Sequence, residues 1–394
     1  MHLTNHQRHQ LFLIVVCLSL FIGCTTTTKQ VATVSSAWPL STPTAEGVDP
    51  QMVESIHQDI TAGKYGLIDH FLLIRHGKII ADHHYTQDYE TIAAKYDTTN
   101  HQYNYDHPEW HPYYKNSQLH SLQSVTKSVT SALLGIAIDE GKLAGVDQKV
   151  MPLFKDYNVD LSDERKRSIT LEDLLTMRSG IEWNEGSYSN ADNSCILMEA
   201  SDNWIQFVLD HPMDTVPGVV FEYNSGVSVL LGKLVRIATG KRIDKWAEEK
   251  LFKPLGITDY YWKVTPQGEI DTEGGLYLSA HDLAKIGYLF LHKGQWKGQQ
   301  IISKAWVEKS TSPIVTHVNP DNSRSNGYGY QWWIQNNGPD ATPIFAGNGY
   351  GWQFVMVAPE YDMVVVFNGW NIHDQPEKFT WNTLYRTIIP ASKL

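Results

Sequence analysis

Apolar residues recur at steps of three and four along positions 125–138 of this chain. This spacing places them on one face of a helix, which predicts an amphipathic or buried helix over that range. Gly141 follows the run and predicts where the helix ends. Ser124 and Lys127 lie at its start and are three residues apart, so their side chains should share one face of the first turn.

The helical period returns several times in the middle of the sequence. The predicted helices cover about 170–177, 203–209, 227–238, 244–251 and 280–292. Thr170 gives the first of these a capping-box-like start. An earlier helix is predicted over 50–60, where Asp49 can cap the first turn and Pro50 suits the first helical position. A last helix is predicted over 376–388.

Strand patterns occupy the two ends of the sequence. Residues 70–85 predict a hairpin that turns at His76 and Gly77. Four later β-rich runs predict an antiparallel meander; they are 329–334, 343–346, 353–358 and 363–368. This order predicts an α+β fold, in which the chain leaves one antiparallel sheet for a helical lobe and then returns to complete an α/β sandwich. The expected domain spans 46–394, with a sheet lobe over about 46–120 and 265–394 and a helical lobe over about 121–264.

The first residues carry a targeting signal. Arg8 precedes an apolar run of about twelve residues, which suits a signal peptide and is too short to span a bilayer. The run ends at Gly23-Cys24, which resembles the bacterial lipoprotein signal and implies a signal peptide over 1–23, a lipidated Cys24 and a tether over 24–45. The resemblance implies a periplasm-facing protein of the cell envelope that is held by its lipid anchor only. Thr25 resembles the outer-membrane sorting pattern; the alternative is an ordinary secretory signal with a chance cysteine.

Composition narrows the class of protein. Among 394 residues, 42% are hydrophobic and 19% charged, which is typical of a globular protein with a large core. A net charge of −11 without a basic stripe argues against a nucleic-acid partner. Cys17 would leave with the signal and Cys24 would carry lipid. Cys195 therefore remains as a single thiol, which we expect to be buried and structural.

A histidine-rich and aromatic segment over 82–120 precedes Ser124. His107 and His111 flank Pro108-Glu109, but the order differs from the zinc-binding H-E-x-x-H pattern and the proline disfavours a helix. We therefore expect no metal or other cofactor. The segment is predicted to be a long loop that either lines a substrate site or serves a structural role.

Ser124 is a candidate nucleophile, although a helix start capped by Ser124 explains the same residue. The chain has no G-x-S-x-G sequence, which disfavours an α/β-hydrolase triad. Lys127 could act as the base if it were neutral, and Tyr223 could do so if a nearby ammonium lowered its pKa. Such a lysine and tyrosine would share one proton as a coupled pair.

Several ordered motifs resemble the serine beta-lactamase-like family, in particular its branch of class C beta-lactamases, D-alanyl carboxypeptidases, esterases and 6-aminohexanoate-dimer hydrolases. They are the S-x-x-K of Ser124 and Lys127, the helix and S-G turn over 169–180, Tyr223-Asn224-Ser225, the glycine pair at 274–275, the aromatic run over 328–333, and Gly347-Asn348-Gly349. The resemblance covers nearly the whole mature chain and implies a beta-lactamase/transpeptidase-like fold.

The resemblance also implies roles for individual residues. Ser124 would attack an acyl carbon, with Lys127 and Tyr223 handling its proton. The backbone N–H groups of Ser124 and Tyr350 would form an oxyanion hole. Ser225 and the strand motif at 347–349 would contact substrate.

Two of these positions depart from the beta-lactamase pattern. Ser225 stands where those enzymes have asparagine, and Gly347 replaces the cationic or imidazole group that holds a substrate carboxylate. Both changes favour a hydrolase of small-molecule esters or linear amides. A cell-wall D-amino-acid peptidase or beta-lactamase is the alternative enzyme, and a non-catalytic envelope binding protein is the alternative from another class. The sequence gives no indication of the oligomeric state.

Overall fold

The computed structural model describes residues 38–88, 91–92, 94–95, 118–188, 190–316, 318, 326–335, 342–372 and 384–393. The signal segment, Cys24, most of the tether, His107, His111 and the first part of the helix predicted over 376–388 lie outside these ranges. Across the ranges that are described, no helix combines the length and the apolar character needed to cross a bilayer.

One antiparallel sheet joins the two ends of the chain. The strands are β1 (Ile68–Arg75), β2 (Lys78–His84), β3 (His120–Ser121), β4 (Tyr261–Trp262), β5 (Leu276–Leu278), β6 (Gln295–Trp296), β7 (Gln299–Gln300), β8 (Asn326–Tyr328), β9 (Trp333–Gln335), β10 (Ile344–Gly349), β11 (Gln353–Ala358) and β12 (Met363–Gly369). The seven-stranded sheet has the order β2-β1-β12-β11-β10-β9-β8. Because the early hairpin pairs directly with the last strand, the prediction that the chain returns to complete one sheet is confirmed.

Along the sequence, most helices lie between the two segments that form that sheet. They are α1 (Pro50–Thr61), α2 (Val125–Asp139), α3 (Glu164–Ser168), α4 (Leu171–Leu175), α5 (Ser194–Glu199), α6 (Trp204–Asp210), α7 (Ser225–Thr239), α8 (Ile243–Ala247), α9 (Ala280–Leu291) and α10 (Lys304–Ser310). A 3₁₀ turn covers Met151–Leu153, and α8 continues through a π-helical turn to Leu255. A further π-helical turn covers Leu384–Ile388. These elements give the mixed helix and antiparallel-sheet architecture that the sequence predicts.

Alternation along the strands gives the sheet two apolar faces. In β1, Phe71 and Leu73 join the cluster that contains α1, while Leu72 and Ile74 join the larger cluster that contains α2 and α9. This period of two is the pattern of a strand covered on both faces. The larger cluster continues into the helical lobe, so α2 lies between the sheet and the other helices.

One predicted strand was wrong, and several short elements were not predicted. The run at 329–334 is not one strand, because β8 ends at Tyr328 and β9 begins at Trp333. The intervening residue Gln331 has φ +62° and is 2% exposed. The sequence also did not predict the short helices α3, α5 and α10 or the small sheet β3-β5-β4. Two-residue strands carry too little periodicity to be recognised from sequence.

Candidate active site

Three side chains from distant parts of the chain meet at the start of α2. Lys127 Nζ donates to Ser124 Oγ at 2.9 Å. The same Nζ lies 5.3 Å from the centre of the Tyr223 ring, and the Ser124 hydroxyl lies close enough to lower the pKa of the Tyr223 phenol. Since Ser124 Oγ accepts from the ammonium, its own proton is left for the phenol oxygen. The hydroxyl, amine and phenol therefore form one connected group.

The backbone just before Ser124 has an unusual conformation. Gln123 has φ +48°, a left-handed conformation that non-glycine residues rarely adopt. Ser124 occupies the N-cap position, but its side chain makes no capping hydrogen bond to the helix. The capping interpretation therefore does not account for the hydroxyl. Strain of this kind is often found where a side chain is positioned for chemistry.

Tyr223 is fixed by its neighbours at the start of α7. Asn224 caps that helix, since its side chain accepts from Val227 N at 3.0 Å. The Tyr223 ring stacks on Trp333 of β9 with ring centres 5.7 Å apart and an interplanar angle of 21°. A strand residue and a helix cap thus hold the phenol beside Ser124.

Lys127 is almost completely buried, and all three of its N–H bonds find acceptors. Besides Ser124, Nζ donates to the Glu273 carbonyl at 2.8 Å and to Glu273 Oε2 at 3.0 Å. Burial lowers the pKa of Lys127, but Tyr223 in its ionised form, Glu273 and Glu185 outweigh this effect and hold the pKa well above its ordinary value. The resting amine is therefore an ammonium, and it does not meet the condition for a neutral lysine base.

Burial raises the pKa of Tyr223, and the Lys127 ammonium and the Ser124 hydroxyl reverse only part of that rise. The phenol is therefore neutral at rest. An ammonium beside a neutral phenol is the fully protonated state of a coupled pair, and the two groups share a proton only after the pair has lost one.

A second buried carboxyl group lies behind Glu273. Donor atoms of Cys195, Glu199 and Glu273 lie within 4.8 Å of one another. Burial raises the pKa of Glu199 well above its ordinary value, and the nearby Glu273 charge adds to the rise. Burial also raises the pKa of Glu273, but Lys127 outweighs it and the net direction is downward. Glu199 is therefore a neutral acid that donates to the Glu273 carboxylate, and Cys195 is buried as predicted.

Asp271 is a third buried carboxyl group in this region, and it gives a testable pH dependence. Burial, followed by the Glu273 charge, raises the pKa of Asp271 to about 6 from 3.8. Between pH 4 and 6 the unfolded chain loses this proton while the folded chain keeps it, so this group lowers stability as pH rises. Asp271→Asn should therefore gain stability relative to wild type across that window, by up to about 3 kcal/mol.

Urea unfolding at pH 4, 5, 6 and 7 measures the effect. In wild type, Asp271 Oδ1 accepts from the backbone N–H groups of Glu273 and Gly274 at 3.1 Å and 3.0 Å. The amide introduced by Asp271→Asn keeps one oxygen that can accept both of these bonds. A stability difference between the two proteins that stays constant from pH 4 to 7 would contradict the assignment.

Ser225 lies next to this group but does not face an open site. It is fully buried, and its Oγ and N each donate to Glu185 at 2.7 Å. Glu185 also accepts from Trp183 Nε1 at 2.7 Å and Tyr188 OH at 2.6 Å. Both donors of Ser225 therefore anchor Glu185, and the expected substrate contact from Ser225 stays a prediction. Glu185 was not predicted from the sequence.

The end of β10 runs alongside the turn that carries Ser124. A Cβ added at Gly347 would lie 2.9 Å from Val125 Cγ1, and one added at Gly349 would lie 2.4 Å from the Leu122 carbonyl oxygen. Only glycine allows this approach, which places the following residue, Tyr350, near the proposed oxyanion hole. Asn348 alternates to the opposite face of the strand, so the structure does not bring its side chain to Ser124.

The fold and this group of side chains define a serine hydrolase with an antiparallel sheet and a helical lobe. The family model described as Beta-lactamase matches residues 70–378, and the chain belongs to that family. It is 25% identical over 291 residues to the 6-aminohexanoate-dimer hydrolase of Paenarthrobacter ureafaciens, covering 68% of this chain and 70% of that one. It is 24% identical over 364 residues to the N-acetylmuramyl-L-alanine amidase of Bacillus subtilis (strain 168), covering 79% and 78%.

A solved structure supports the same fold. The chain matches EstCE1, described as a hydrolase with promiscuous acyltransferase activity, with a TM-score of 0.63 and 15% identity. The match covers 81% of this chain and 93% of that one. At this level of identity the likeness concerns the fold alone.

Proposed function

We propose that this protein cleaves an ester or a linear amide through an acyl-enzyme formed on Ser124. The observation that carries the proposal is the contact of Ser124 Oγ with Lys127 Nζ at 2.9 Å, with the Tyr223 ring centre 5.3 Å from the same Nζ. A serine hydroxyl is a weak nucleophile until a neighbouring group accepts its proton. Here Tyr223 would supply the proton acceptor, and the Lys127 ammonium would supply the compensating positive charge.

The proton follows a short route. In the reactive form the pair has lost one proton, so that Tyr223 is a phenolate beside the Lys127 ammonium. As Ser124 Oγ bonds to the carbonyl carbon, its proton passes to this phenolate oxygen. The phenol proton passes to the leaving nitrogen or oxygen as the carbon–nitrogen or carbon–oxygen bond breaks. Water then attacks the acyl-enzyme, its proton passes through the phenol, and the Ser124 oxygen regains a proton as the acid leaves. The Lys127 ammonium stabilises the negative charge that develops beside it.

The proposed substrate class follows from the charges near Ser124. Gly347 contributes no cation, so the strand at 347–349 offers a substrate carboxylate no charge-assisted bond. Aromatic groups lie nearby instead, since Tyr188 packs on Tyr350 with ring centres 4.9 Å apart. These features favour a neutral ester or amide over a beta-lactam or a D-alanyl peptide. The named activity of the 6-aminohexanoate-dimer hydrolase relative is consistent with a linear amide.

The test compares covalent labelling with turnover. Purified wild type and Ser124→Ala would be treated with a fluorophosphonate probe and then offered a p-nitrophenyl ester, a 6-aminohexanoate linear dimer and a chromogenic cephalosporin. We expect one probe adduct per wild-type chain, located at Ser124 by peptide mass, and faster turnover of the ester or dimer than of the cephalosporin. Equal labelling of both proteins would contradict the nucleophile, and faster cephalosporin turnover would contradict the substrate class.

A further inference from the structure

A second polar cluster lies at the β1–β2 hairpin, away from the Ser124 group. His70 belongs to β1, Asp82 and His84 to β2, and His281 is the second residue of α9. In the sheet register His70 lies opposite His84, and Asp82 lies opposite Leu72, one step along the same face. That face packs toward α9, so three separate elements direct polar side chains to one place.

The geometry of this cluster is convergent. Asp82 Oδ1 lies 2.7 Å from His70 Nε2, and Asp82 Oδ2 lies 2.8 Å from His281 Nε2. The three atoms that could bind a metal ion all lie within 4.8 Å of one another. Two imidazoles and a carboxylate form a common ligand set for Zn²⁺ and similar divalent ions, at bond lengths of about 2.0–2.2 Å. Small side-chain movements would bring the three atoms around one centre.

The cluster opens into a cavity of about 280 Å³. His84 also lines this cavity, and its ring stands nearly perpendicular to the His70 ring with centres 5.6 Å apart. The cavity wall includes Asn368, which is 1% exposed and whose Oδ1 is buried without a hydrogen-bond partner among the described residues. Asn368 pairs with His70 across β1 and β12. The site therefore combines ligand atoms with room for a bound water and an acceptor that needs a donor.

The solvent exposure of the three ligand side chains also suits an ion that exchanges with solvent. The side chains of His70, Asp82 and His281 are 13%, 35% and 24% exposed. An ion could reach the site from solvent, while most of each ligand would stay sheltered. The imidazoles would bind through Nε2, so each neutral ring would carry its proton on Nδ1, and a doubly protonated ring would release the proton on Nε2.

We propose that His70, Asp82 and His281 bind one divalent transition-metal ion, with Zn²⁺ as the representative species and with His84 or a water molecule completing the coordination. The ion would link the early hairpin to α9, because its ligands Asp82 and His281 are 199 residues apart in the sequence. An ion that binds only the folded chain raises the apparent stability of that chain. The proposal does not depend on the reaction at Ser124.

The experiment uses the purified protein after EDTA treatment and removal of the chelator. Zn²⁺ would be titrated by calorimetry, and the melting temperature would be followed with and without Zn²⁺. We expect about one tight equivalent per wild-type chain and a higher melting temperature with Zn²⁺. Asp82→Asn and His281→Gln should weaken that equivalent by at least about tenfold and remove the temperature shift.

A matched control separates this site from the other histidines of the chain, of which there are 17 in total. His83 lies beside Asp82 in β2 but faces away and stacks on His57 with ring centres 4.4 Å apart. His83→Gln should bind Zn²⁺ as wild type does. Zn²⁺ affinity in Asp82→Asn and His281→Gln that equals wild type, or a loss as large in His83→Gln, would overturn the proposal.

Co²⁺ provides a readout that needs no variant. Bound Co²⁺ at a nitrogen and oxygen site should give visible d–d absorption that saturates with the first equivalent and is displaced by Zn²⁺. The absence of this absorption from the wild-type protein would also overturn the proposal, even if a variant failed to fold.

Discussion

Ser124→Ala is expected to lower kcat/KM for a p-nitrophenyl ester by at least about 10⁴-fold, as removal of a serine nucleophile does in other hydrolases. The alanine variant keeps the helix, the ammonium and the phenol but has no oxygen to attack the acyl carbon. Initial rates at several ester concentrations, corrected for the uncatalysed reaction, measure the loss. Circular dichroism and the melting temperature would verify that the variant is folded.

Two further variants make this prediction specific. Because Ser124 and Lys127 act as one unit, Ser124→Ala/Lys127→Ala should be only slightly slower than Ser124→Ala alone. Ser131→Ala is the matched control, since Ser131 is a fully buried serine on the same helix and its hydroxyl has no partner among the described residues. It should stay close to the wild-type rate. Losses that multiply in the double variant, or a large loss in Ser131→Ala, would contradict the assignment.

Glu273→Gln is expected to destabilise the protein by about 3–5 kcal/mol, because it leaves the buried Lys127 ammonium without its carboxylate. In wild type the two charged atoms are 3.0 Å apart and both side chains are at most 6% exposed. Urea unfolding at pH 7 measures the change in the free energy of unfolding. The ester rate should fall as well, since the amine that contacts Ser124 loses the partner that orients it.

Glu199 provides a matched comparison for Glu273. It is a buried glutamate in the same cluster, but its raised pKa makes it a neutral hydrogen-bond donor. Glu199→Gln keeps a donor of the same size, so we expect a change below about 1 kcal/mol. Replacing both charged partners, in Lys127→Met/Glu273→Gln, should recover much of the stability lost in Glu273→Gln. Equal destabilisation by Glu199→Gln and Glu273→Gln would show that the charges are assigned incorrectly.

Local patterns in the sequence predicted most of the elements that surround Ser124. The three- and four-residue spacing gave α2, and the His76-Gly77 turn gave the hairpin of β1 and β2. Thr170 and Asp173 form the capping box expected at the start of α4. Each of these signals is contained within a few neighbouring residues. Such signals survive in the final structure because packing reinforces the local preference.

The carboxylates that set the charge of Lys127 could not be predicted in this way. Glu273 contacts the amine, and Glu185 raises its pKa from a separate segment. In sequence each resembles an ordinary surface glutamate. The Asp271-Thr272-Glu273 run before the glycine pair was the one available signal for Glu273. Their burial depends on how distant segments meet, which periodicity does not report.

The contacts of Gln331 with distant segments explain why the strand over 329–334 was predicted wrongly. Its side chain donates to the Leu175 carbonyl at 2.9 Å and accepts from Ser228 at 2.8 Å. Its own carbonyl accepts from Ser128 at 2.6 Å. The Gln331 N–H also donates to the Leu175 carbonyl at 3.1 Å, so contacts with α2 and α4 use the backbone groups that a continuous strand would have used for pairing. Tertiary contacts therefore override the β-rich composition of 329–334.

The pairing of β1 with β12 has a consequence for synthesis of the protein. Asp69, just inside β1, accepts from Trp370 Nε1 across 301 residues of sequence. During translation the hairpin leaves the ribosome long before its neighbour in the sheet exists, and its apolar faces and open edge stay exposed meanwhile. A nascent chain of this kind has to be shielded from other chains until the last strand arrives, and a product truncated before β12 should accumulate as insoluble aggregate.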